Sequence, residues 1–453
     1  MNLDFKNKRI VVIGAGLSGL AMVRFLVERG ATVALSDLRT REQLEGLDSL
    51  QELPVRLDLG GHTLELFDQA DLIAVSPGVP LDCEPLLRAA SCGIPLLGEI
   101  EIAAQEISAP IIGVTGTNGK STTTSLIGEI LQAWEKNIFV GGNLGTPLIN
   151  GCSAEIDGAV VELSSFQLET IDQFHPTIGL LLNLSSDHLD RYPDLQSYYQ
   201  AKLRLFRNMT AADFTVLNAD DDEVCRLTAD VRATKVWFSG RGQKVEGMVR
   251  LGDKLVWNWQ GANVQLPLSE LQISGEHNIE NAMAAMIPPL LQGCPAELAW
   301  KAICSFSGLK HRMQLVRKLD GVSWYNDSKG TNVGSVLKSL VGLPDGVTLI
   351  AGGKDKGSDY RLLRPLLEEK VKHLLLIGEA AEKMATELSG SCEIELVAEL
   401  ESAVHKAYEV TDPGGTVLLS PACSSFDMFR NYRVRGDEFE RLVLLLPEER
   451  VTS

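Results

Sequence analysis

Cations are scarce in this chain: 42 Lys and Arg stand against 60 Asp and Glu, a formal net charge of −18. So acidic a balance argues against nonspecific binding to nucleic acid or to an anionic membrane, while leaving room for a local basic pocket. Neither nucleic acid nor a membrane is expected as a partner. The eight cysteines (83, 92, 152, 225, 294, 304, 392 and 423) include no C-x-x-C pair. In a long chain they read as reduced structural thiols rather than a disulfide framework. Long apolar runs are missing too: none approaches the roughly 18 residues that a membrane-spanning helix needs. The opening MNLDFKNKRIVVIGAG leads into a strand without a basic-then-apolar leader, so a cytoplasmic protein is expected; a monomer is expected as well.

What the chain does have is length and a strong alternation of strand and helix. Its 453 residues, 45% hydrophobic, predict about three domains of roughly 150 residues each. The most informative stretch is Ala109–Trp134, APIIGVTGTNGKSTTTSLIGEILQAW. An apolar run, Ile111 to Val114, ends in Thr115-Gly116-Thr117-Asn118-Gly119, then Lys120-Ser121-Thr122, and then Leu126, Ile127, Ile130, Leu131 and Trp134 at helical spacing. Strand, Gly-containing loop, Lys-Ser and helix cradle a polyphosphate. Backbone N–H groups and the helix N-terminus face the phosphates, the Lys reaches the outer oxygens, and the Ser hydroxyl ligates Mg²⁺. The generic pattern wants Gly where Val114 stands, so a plain Gly turn is the competing reading; the context favours an ATP site.

A second glycine turn lies near the amino end. Lys8–Ile13 reads as a strand entering Gly14-Ala15-Gly16-Leu17-Ser18-Gly19, followed by a helix and by a strand, Thr32–Leu35, that ends at Asp37. Alone, this dinucleotide fingerprint fits a nicotinamide or flavin oxidoreductase as well as anything else. Ala70–Val75 predicts a strand running into Ser76-Pro77-Gly78-Val79-Pro80, either a ligand turn or a rigid connector. After the phosphate loop, Gly158–Val161 predicts a strand ending at Glu162, where a carboxylate could complete a Mg²⁺ site. Thr177–Leu182 predicts another, leading to Asp187-His188-Leu189-Asp190. A helix is expected over Leu195–Phe206, with Lys202 among Tyr198, Tyr199 and Phe206; such a Lys usually snorkels at the surface. Thr234–Leu271 predicts inserted antiparallel strands, and Pro288-Pro289 predicts the end or a kink of the helix from Ile279. From Leu309 onward strands and helices alternate as in a second doubly wound sheet. Polar clusters fall at its strand ends: His311-Arg312, Asn326–Asn332, Gly352–Lys356 and Ser420–Asp427. Four such clusters on one sheet edge read better as a binding face than as turn chemistry.

GTNGKST, DHLDRY, GEHNIENA, KHR and NDSKGTN together resemble the Mur ligase family and its folylpolyglutamate synthetase relatives. GAGLSG, SPGV, GGNLG, ELSSFQLE and SPACSSFDMF are similar to the branch that adds D-glutamate, and an Asp-Asn-Pro-Arg motif of the diaminopimelate- or lysine-adding branch is absent. The resemblance runs from Gly14 to about Glu440. One departure is Gly330, where the family pattern more often has Ala; with both residues small, little consequence is expected.

The resemblance implies an α/β fold of three domains. They are a Rossmann-like UDP-sugar domain (1–98), a central P-loop ATPase with a parallel sheet and a small antiparallel insertion (99–308), and a Rossmann-like amino-acid domain (309–453) that swings to close the site. It implies ligation of D-glutamate to UDP-MurNAc-L-Ala, with ATP and two Mg²⁺ as cofactors. Lys120, His188 and Lys202 would be catalytic. ATP would be held by Gly116, Thr117, Asn118, Gly119, Lys120, Ser121, Thr122, Asn278, Arg312 and Asp327. The UDP-substrate would meet Gly16, Leu17, Ser18, Asp37, Arg39, Gly78, Asn143, Gln167, Lys329 and Thr331, and D-glutamate would meet Lys356, Ser425, Phe426 and Tyr432. Ser121 and Glu162 would ligate one Mg²⁺, and His188 with a CO₂-derived carbamate on Lys202 the other.

Overall fold

An all-apolar strand is stable only when both its faces are covered, and β1 (Arg9–Ile13) shows it: Ile10, Val11, Val12 and Ile13 are all buried. In the computed structural model, which describes residues 4–189, 191–271, 275–306 and 308–447, β1 is joined by β2 (Thr32–Asp37), β3 (Val55–Leu59), β4 (Leu72–Val75) and β5 (Leu96–Gly98). These form a parallel sheet in the order β3-β2-β1-β4-β5. The order reverses at β1, which opens a crevice at the carboxyl ends of β1 and β4.

The second sheet holds β6 (Ile111–Thr115), β7 (Ile138–Gly142), β8 (Gly158–Glu162), β9 (Ile178–Leu181), β10 (Phe214–Asn218), β11 (Thr234–Ser239), β12 (Gly247–Leu251), β13 (Lys254–Trp259) and β14 (Ala262–Pro267). Its order is β14-β13-β12-β11-β10-β9-β6-β8-β7. The stretch expected to be an antiparallel insertion differs in part. β11 runs parallel to β10 and β12 parallel to β11, and only β12-β13-β14 is antiparallel, as the outer edge of the same sheet. The third sheet has the order β15-β16-β20-β17-β18-β19. Its strands are β15 (Gln314–Leu319), β16 (Val322–Asn326), β17 (Val347–Gly352), β18 (Val371–Ile377), β19 (Glu393–Leu396) and β20 (Thr416–Leu419). Apolar clusters cover both its faces, one around Tyr360 and Leu374, the other around Trp324 and Phe439. β15, antiparallel to β16, escapes sequence reading because Arg317 and Lys318 break its alternation.

By packing, the described residues fall into two compact units. One comprises Met1–Asn183, Tyr198–Leu268 and Asn281–Ile303, with the first two sheets; the other comprises Leu184–Ser197, Ser269–Glu280 and Cys304–Ser453, with the third. Within the first unit, the helix Glu99–Glu106 brings two buried carboxylates onto neighbouring backbone. Glu101 accepts N–H bonds from Asp172, Gln173 and Phe174 at 2.8–3.0 Å, and Glu99 accepts one from Ile149 at 2.7 Å.

Two helices depart from expectation. The helix Glu276–Leu291 runs through Pro288 and Pro289. Both prolines lie in its last turn and are buried with Met283 to Ile287, so apolar packing outweighs the two missing N–H donors. The helix Leu195–Leu203 passes into a 3₁₀ turn, Arg204–Phe206, instead of continuing.

Candidate active site

In the first unit, two turns sit at the carboxyl ends of parallel strands. After β1, Gly14 adopts φ +92°, and the helix Leu17–Glu28 begins with Gly16 as its N-cap and Leu17 and Ser18 in its first turn. Gly19 is required by close approach, since a Cβ there would lie 1.8 Å from the Gly14 carbonyl oxygen. Ser76, leading the turn that contains Gly78, donates to the same carbonyl at 2.7 Å. Asp37, at the end of β2, accepts from the Ala15 N–H at 2.7 Å and from the Arg39 guanidinium at 2.8 and 2.9 Å. Burial would raise its carboxyl, but Arg39 and the backbone N–H groups hold it below the usual range. An ionised Asp37 thus braces the phosphate-type turn and carries Arg39 with it.

The second turn follows β6, between the ends of β8 and β9. Val114, the residue that breaks the generic pattern, is a fully buried strand residue. The conformational work falls to Gly116 and Gly119, at φ +146° and +85°. Gly119 caps the helix Lys120–Ala133, and a Cβ there would meet Asn281 Oδ1 at 2.2 Å. Asn183, just past β9, receives the Asn118 N–H at 2.8 Å and donates to the Asn118 carbonyl at 3.1 Å. The Lys120 ammonium donates to the Gly116 and Thr117 carbonyls, both at 2.8 Å, which places its charge on the loop. Ser121 and Thr122 are buried behind it in the first turn of the helix. Glu162, one residue short of the loop by register with Val114, is buried and accepts from Asn143 Nδ2 at 2.6 Å. Ser164 caps the helix Ser165–Glu169, and Gln167, inside its first turn, closes a capping box, its Oε1 accepting the Ser164 N–H at 3.0 Å.

Lys202 does not snorkel. It is 1% exposed, its Nζ donates to the Gly116 carbonyl at 2.9 Å, and it lies 4.6 Å from the centre of the Tyr198 ring. Tyr198 itself donates to Thr117 Oγ1 at 3.3 Å. The helix Leu195–Leu203 therefore supports the phosphate loop directly. Among the described residues, no three His, Cys, Asp or Glu side chains cluster as metal ligands. A Mg²⁺ at the loop would draw on Ser121 and Glu162. These are hard oxygen donors of the kind Mg²⁺ takes one or two at a time, with phosphate and water completing the shell.

In the second unit, the loops after β16, β17 and β20 share one edge, and antiparallel register brings Gln314 opposite Asn326, which puts His311 and Arg312 at the same end. Asp327 is buried between Ser420 Oγ (2.7 Å), Ser339 Oγ (2.8 Å) and the Met313 N–H (3.3 Å), and burial pushes its carboxyl up to about 6. Gly330 is not interchangeable with Ala here, because a Cβ would lie 2.6 Å from both Asp327 Oδ2 and Ser420 Oγ. His277, beside Asn278, is pushed down to about 4 by burial and by the cations Lys338 and Arg312. That cationic patch is suited to an anion. Lys329 Nζ stands 4.9 Å from the Tyr432 ring centre. Burial alone would raise the Tyr432 phenol, but Lys329 and Arg433 bring it below its ordinary range. Thr331 lies next to Asn332, which with Lys356 grips Asp187, at 2.9 and 3.4 Å. His188 follows with φ +57°, a left-handed backbone that a non-glycine residue seldom adopts. Asp190 lies outside the described residues. Ser425 is buried, whereas Phe426 is 69% exposed.

Arg435 escapes sequence reading. Fully buried, it donates to the Ser328 carbonyl at 2.9 Å and the Cys423 carbonyl at 3.3 Å, tying the loops after β16 and β20 together; burial pulls it down to about 10. An Arg inside a helix reads as a surface residue until the fold is known. Asn183 and Asn281 were missed for the same reason, although Asn183 stands at a strand end.

Family models match in chain order. The Mur ligase MurD-like N-terminal domain covers residues 8–98, the Mur ligase middle domain 114–288, and the Mur ligase glutamate ligase domain 311–423. The UDP-N-acetylmuramoylalanine–D-glutamate ligase of Syntrophotalea carbinolica is 55% identical over 98% of this chain and 99% of its own length. The ligase of that name from Geotalea uraniireducens is 47% identical over the same shares. The chain belongs to the Mur ligase family. It is accordingly an enzyme, an ATP-dependent ligase of peptidoglycan synthesis. Solved structures agree in fold. UDP-N-acetylmuramate-alanine ligase MurC of Thermotoga maritima aligns with TM-score 0.62 at 18% identity, over 96% of this chain and 99% of its own. A pseudomurein peptide ligase type C of Methanothermus fervidus aligns with TM-score 0.61 at 20% identity, over 97% and 99%. The three-domain α/β architecture of this Mur ligase thus matches the expectation, and no described helix is long and apolar enough to cross a membrane.

Proposed function

We propose that this Mur ligase joins D-glutamate to UDP-N-acetylmuramoyl-L-alanine with hydrolysis of ATP to ADP and phosphate, as a monomer in the cytoplasm. The observation that carries the reading is the 55% identity to a D-glutamate ligase over essentially both full lengths. Two separate phosphate-type turns support it, because a ligase using ATP and a UDP-sugar needs two. The domains we assign are 1–98 for the UDP-sugar, 99–308 for ATP and 309–453 for the amino acid.

A carboxylate oxygen is a poor leaving group. The γ-phosphoryl group of ATP passes to the alanyl carboxylate, the bond from Pγ to the bridging oxygen breaks, and ADP leaves. The D-glutamate amine then attacks the acyl phosphate, loses a proton, and the tetrahedral intermediate expels phosphate. Phosphoryl transfer needs positioning and charge neutralisation more than covalent help. In this reading Gly116 to Thr122 cradle the phosphates, Lys120 neutralises the β/γ oxygens, and Asn278, Arg312 and Asp327 serve the nucleotide. Gly16, Leu17, Ser18, Asp37, Arg39 and Gly78 take the UDP moiety. Asn143, Gln167, Lys329 and Thr331 orient the rest of that substrate. Lys356, Ser425, Phe426 and Tyr432 receive D-glutamate. Mg²⁺ would supply further charge neutralisation, one ion on Ser121 and Glu162. For a second ion, Lys202 reacts with CO₂ as a neutral amine, forming an N–C bond and releasing a proton, so that a donor-only ammonium becomes a carboxylate-like ligand; His188 is the other ligand we assign.

The test is phosphate release with UDP-MurNAc-L-Ala across a panel of amino acids. D-glutamate should support turnover and L-glutamate, L-lysine and diaminopimelate should not. Comparable release with L-glutamate would overturn the assignment.

A further inference from the structure

In the third sheet, the loop after β17 begins at Gly353, and Lys354 pairs with Ser424 of the loop after β20 through two backbone hydrogen bonds, at 2.9 and 3.2 Å. Residues 355–359 beyond that pair form no strand, and side chains hold them instead. Asp355 Oδ1 accepts the Ser358 N–H at 3.3 Å and the Tyr360 hydroxyl at 2.7 Å, while Oδ2 accepts the Lys383 ammonium at 2.7 Å. Lys383 also donates to the Ser358 carbonyl at 2.9 Å. One turn further along the helix Ala381–Glu387, Glu387 accepts the Tyr360 N–H at 2.9 Å. That helix therefore grips both ends of the segment from Asp355 to Tyr360.

Proton counting gives the network a direction. Burial raises the Asp355 carboxyl, but the hydrogen bonds from Lys383 and Tyr360 hold it net below the usual range, so it only accepts. Tyr360 is fully buried and gives its single hydroxyl hydrogen to Asp355. Its 3.0 Å contact with Cys423 Sγ is then the thiol donating to the phenol oxygen. Burial pushes that thiol up to about 11, so it keeps its hydrogen. Cys423 lies in the loop after β20, next to Ser424 and Ser425. The network thus ties the loops after β17 and β20 together a second time, behind the Lys354–Ser424 pair.

Lys356 follows Asp355 directly. Its side chain is 14% exposed, and its ammonium lies 3.4 Å from a carboxylate, that of Asp187. A lysine ends a flexible four-carbon stem, so the place its charge occupies depends on how firmly the backbone beneath it is held. Resting on the D-glutamate reading of Lys356, we propose that Asp355 and Tyr360 are positioning residues for the amino-acid pocket. They fix the backbone from which Lys356 reaches the carboxylate of the incoming amino acid, and they act through Lys356.

The experiment is steady-state phosphate release by the full chain and by its Tyr360→Phe, Asp355→Asn, Lys356→Met and Asp355→Asn/Lys356→Met variants. A hydrogen bond to a charged group is worth about a tenfold change. Tyr360→Phe and Asp355→Asn should each raise KM for D-glutamate about tenfold, with kcat at saturating D-glutamate and KM for ATP and for UDP-MurNAc-L-Ala within about twofold of the parent. Once Lys356→Met has removed the ammonium, adding Asp355→Asn should lower kcat/KM for D-glutamate by less than about twofold more, because residues acting as one unit are not additive. Tyr360→Phe removes a single oxygen and carries the test if Asp355→Asn does not fold. Additive losses in the double variant, equal rises in all three KM values, or an unmoved D-glutamate KM in folded Tyr360→Phe protein overturn the positioning role and leave the ligase reading standing. A parent chain whose phosphate release does not depend on D-glutamate overturns both.

Discussion

Lys120 and Lys202 both donate to the Gly116 carbonyl, yet the two lysines are asked for different chemistry. Lys120 is to meet the transferring phosphoryl group as a cation. Removing one preorganised electrostatic contact of this kind typically lowers kcat by about 10²–10³-fold. Lys120→Ala should lose at least that much turnover while its calorimetric affinity for UDP-MurNAc-L-Ala stays within about twofold, the resolution of one weak contact. Retention of a tenth of the parent rate or more would take the loop out of the chemistry. Lys202 is to act as a carbamate, and its Nζ is buried at the phosphate loop, beside the Gly116 carbonyl and the Tyr198 ring. Lys202→Ala should be down by a factor on the order of 10² or more, and millimolar formate or acetate should recover part of the activity, because a free carboxylate can supply the lost oxygens. Mass spectrometry of the intact chain in bicarbonate gives an independent reading, and an inactive variant that no carboxylate rescues would leave Lys202 as a brace for the loop.

The helix Glu99–Glu106 places two carboxylates two residues apart in contrasting surroundings. Glu101 is satisfied by three backbone N–H groups and by Gln105 at 2.8 Å. Glu101→Ala would leave the buried Phe174 N–H unmet, at about 1–3 kcal/mol, and should lower the denaturant midpoint clearly. Glu99 has one oxygen bonded to Ile149 and the other buried without a partner among the described residues, and burial raises it from 4.5 to about 7. The folded state thus holds this proton more tightly than the unfolded chain. Its stabilising contribution is complete below pH 4.5 and is lost as pH rises through 7. Glu99→Gln, which carries no such charge, should gain on the parent between pH 5 and pH 8, by up to about 3 kcal/mol. Denaturant titrations at both pH values would show it, and an unchanged difference would place Glu99 in contact with solvent. In the loop after β16, Gly330→Ala should press on Asp327 and Ser420 and cost roughly 1–3 kcal/mol, as overpacking does.

Two glycine turns lie at the carboxyl ends of parallel strands, one in the first sheet and one in the second. If the first serves the UDP-sugar and the second ATP, their kinetic signatures separate. Asp37→Ala, which removes the brace on Ala15 and Arg39, should raise KM for UDP-MurNAc-L-Ala at least ~10-fold, the worth of a charge-assisted hydrogen bond, and leave KM for ATP within about twofold. Equal effects on both would mean that the first sheet does not hold the sugar nucleotide.

Much of this was written along the chain. Strand and helix follow the apolar spacing, because the stretch of a strand buried on both faces is a near-continuous apolar run, as in Ile10–Ile13 of β1 and Ile111–Val114 of β6. Both glycine turns were legible as well, since glycine enters a left-handed turn at little cost, as Gly14 and Gly119 do, and alone tolerates a backbone oxygen 1.8 Å from where a Cβ would stand, as Gly19 does. Tertiary structure alone decided what long-range packing controls. A lysine beside two tyrosines reads as a surface residue, and only the docking of its helix on the phosphate loop buries Lys202 to 1%. Pro288 and Pro289 signal an end or a kink, and the helix does not end there: it runs on to Leu291 with both prolines buried. Gly330 looked exchangeable with Ala until Ser420, ninety residues away in sequence, was seen to meet Asp327 beside it. Periodicity and turn chemistry act between near neighbours, so a sequence displays them; burial and hydrogen-bond satisfaction are settled between residues that only the fold makes neighbours.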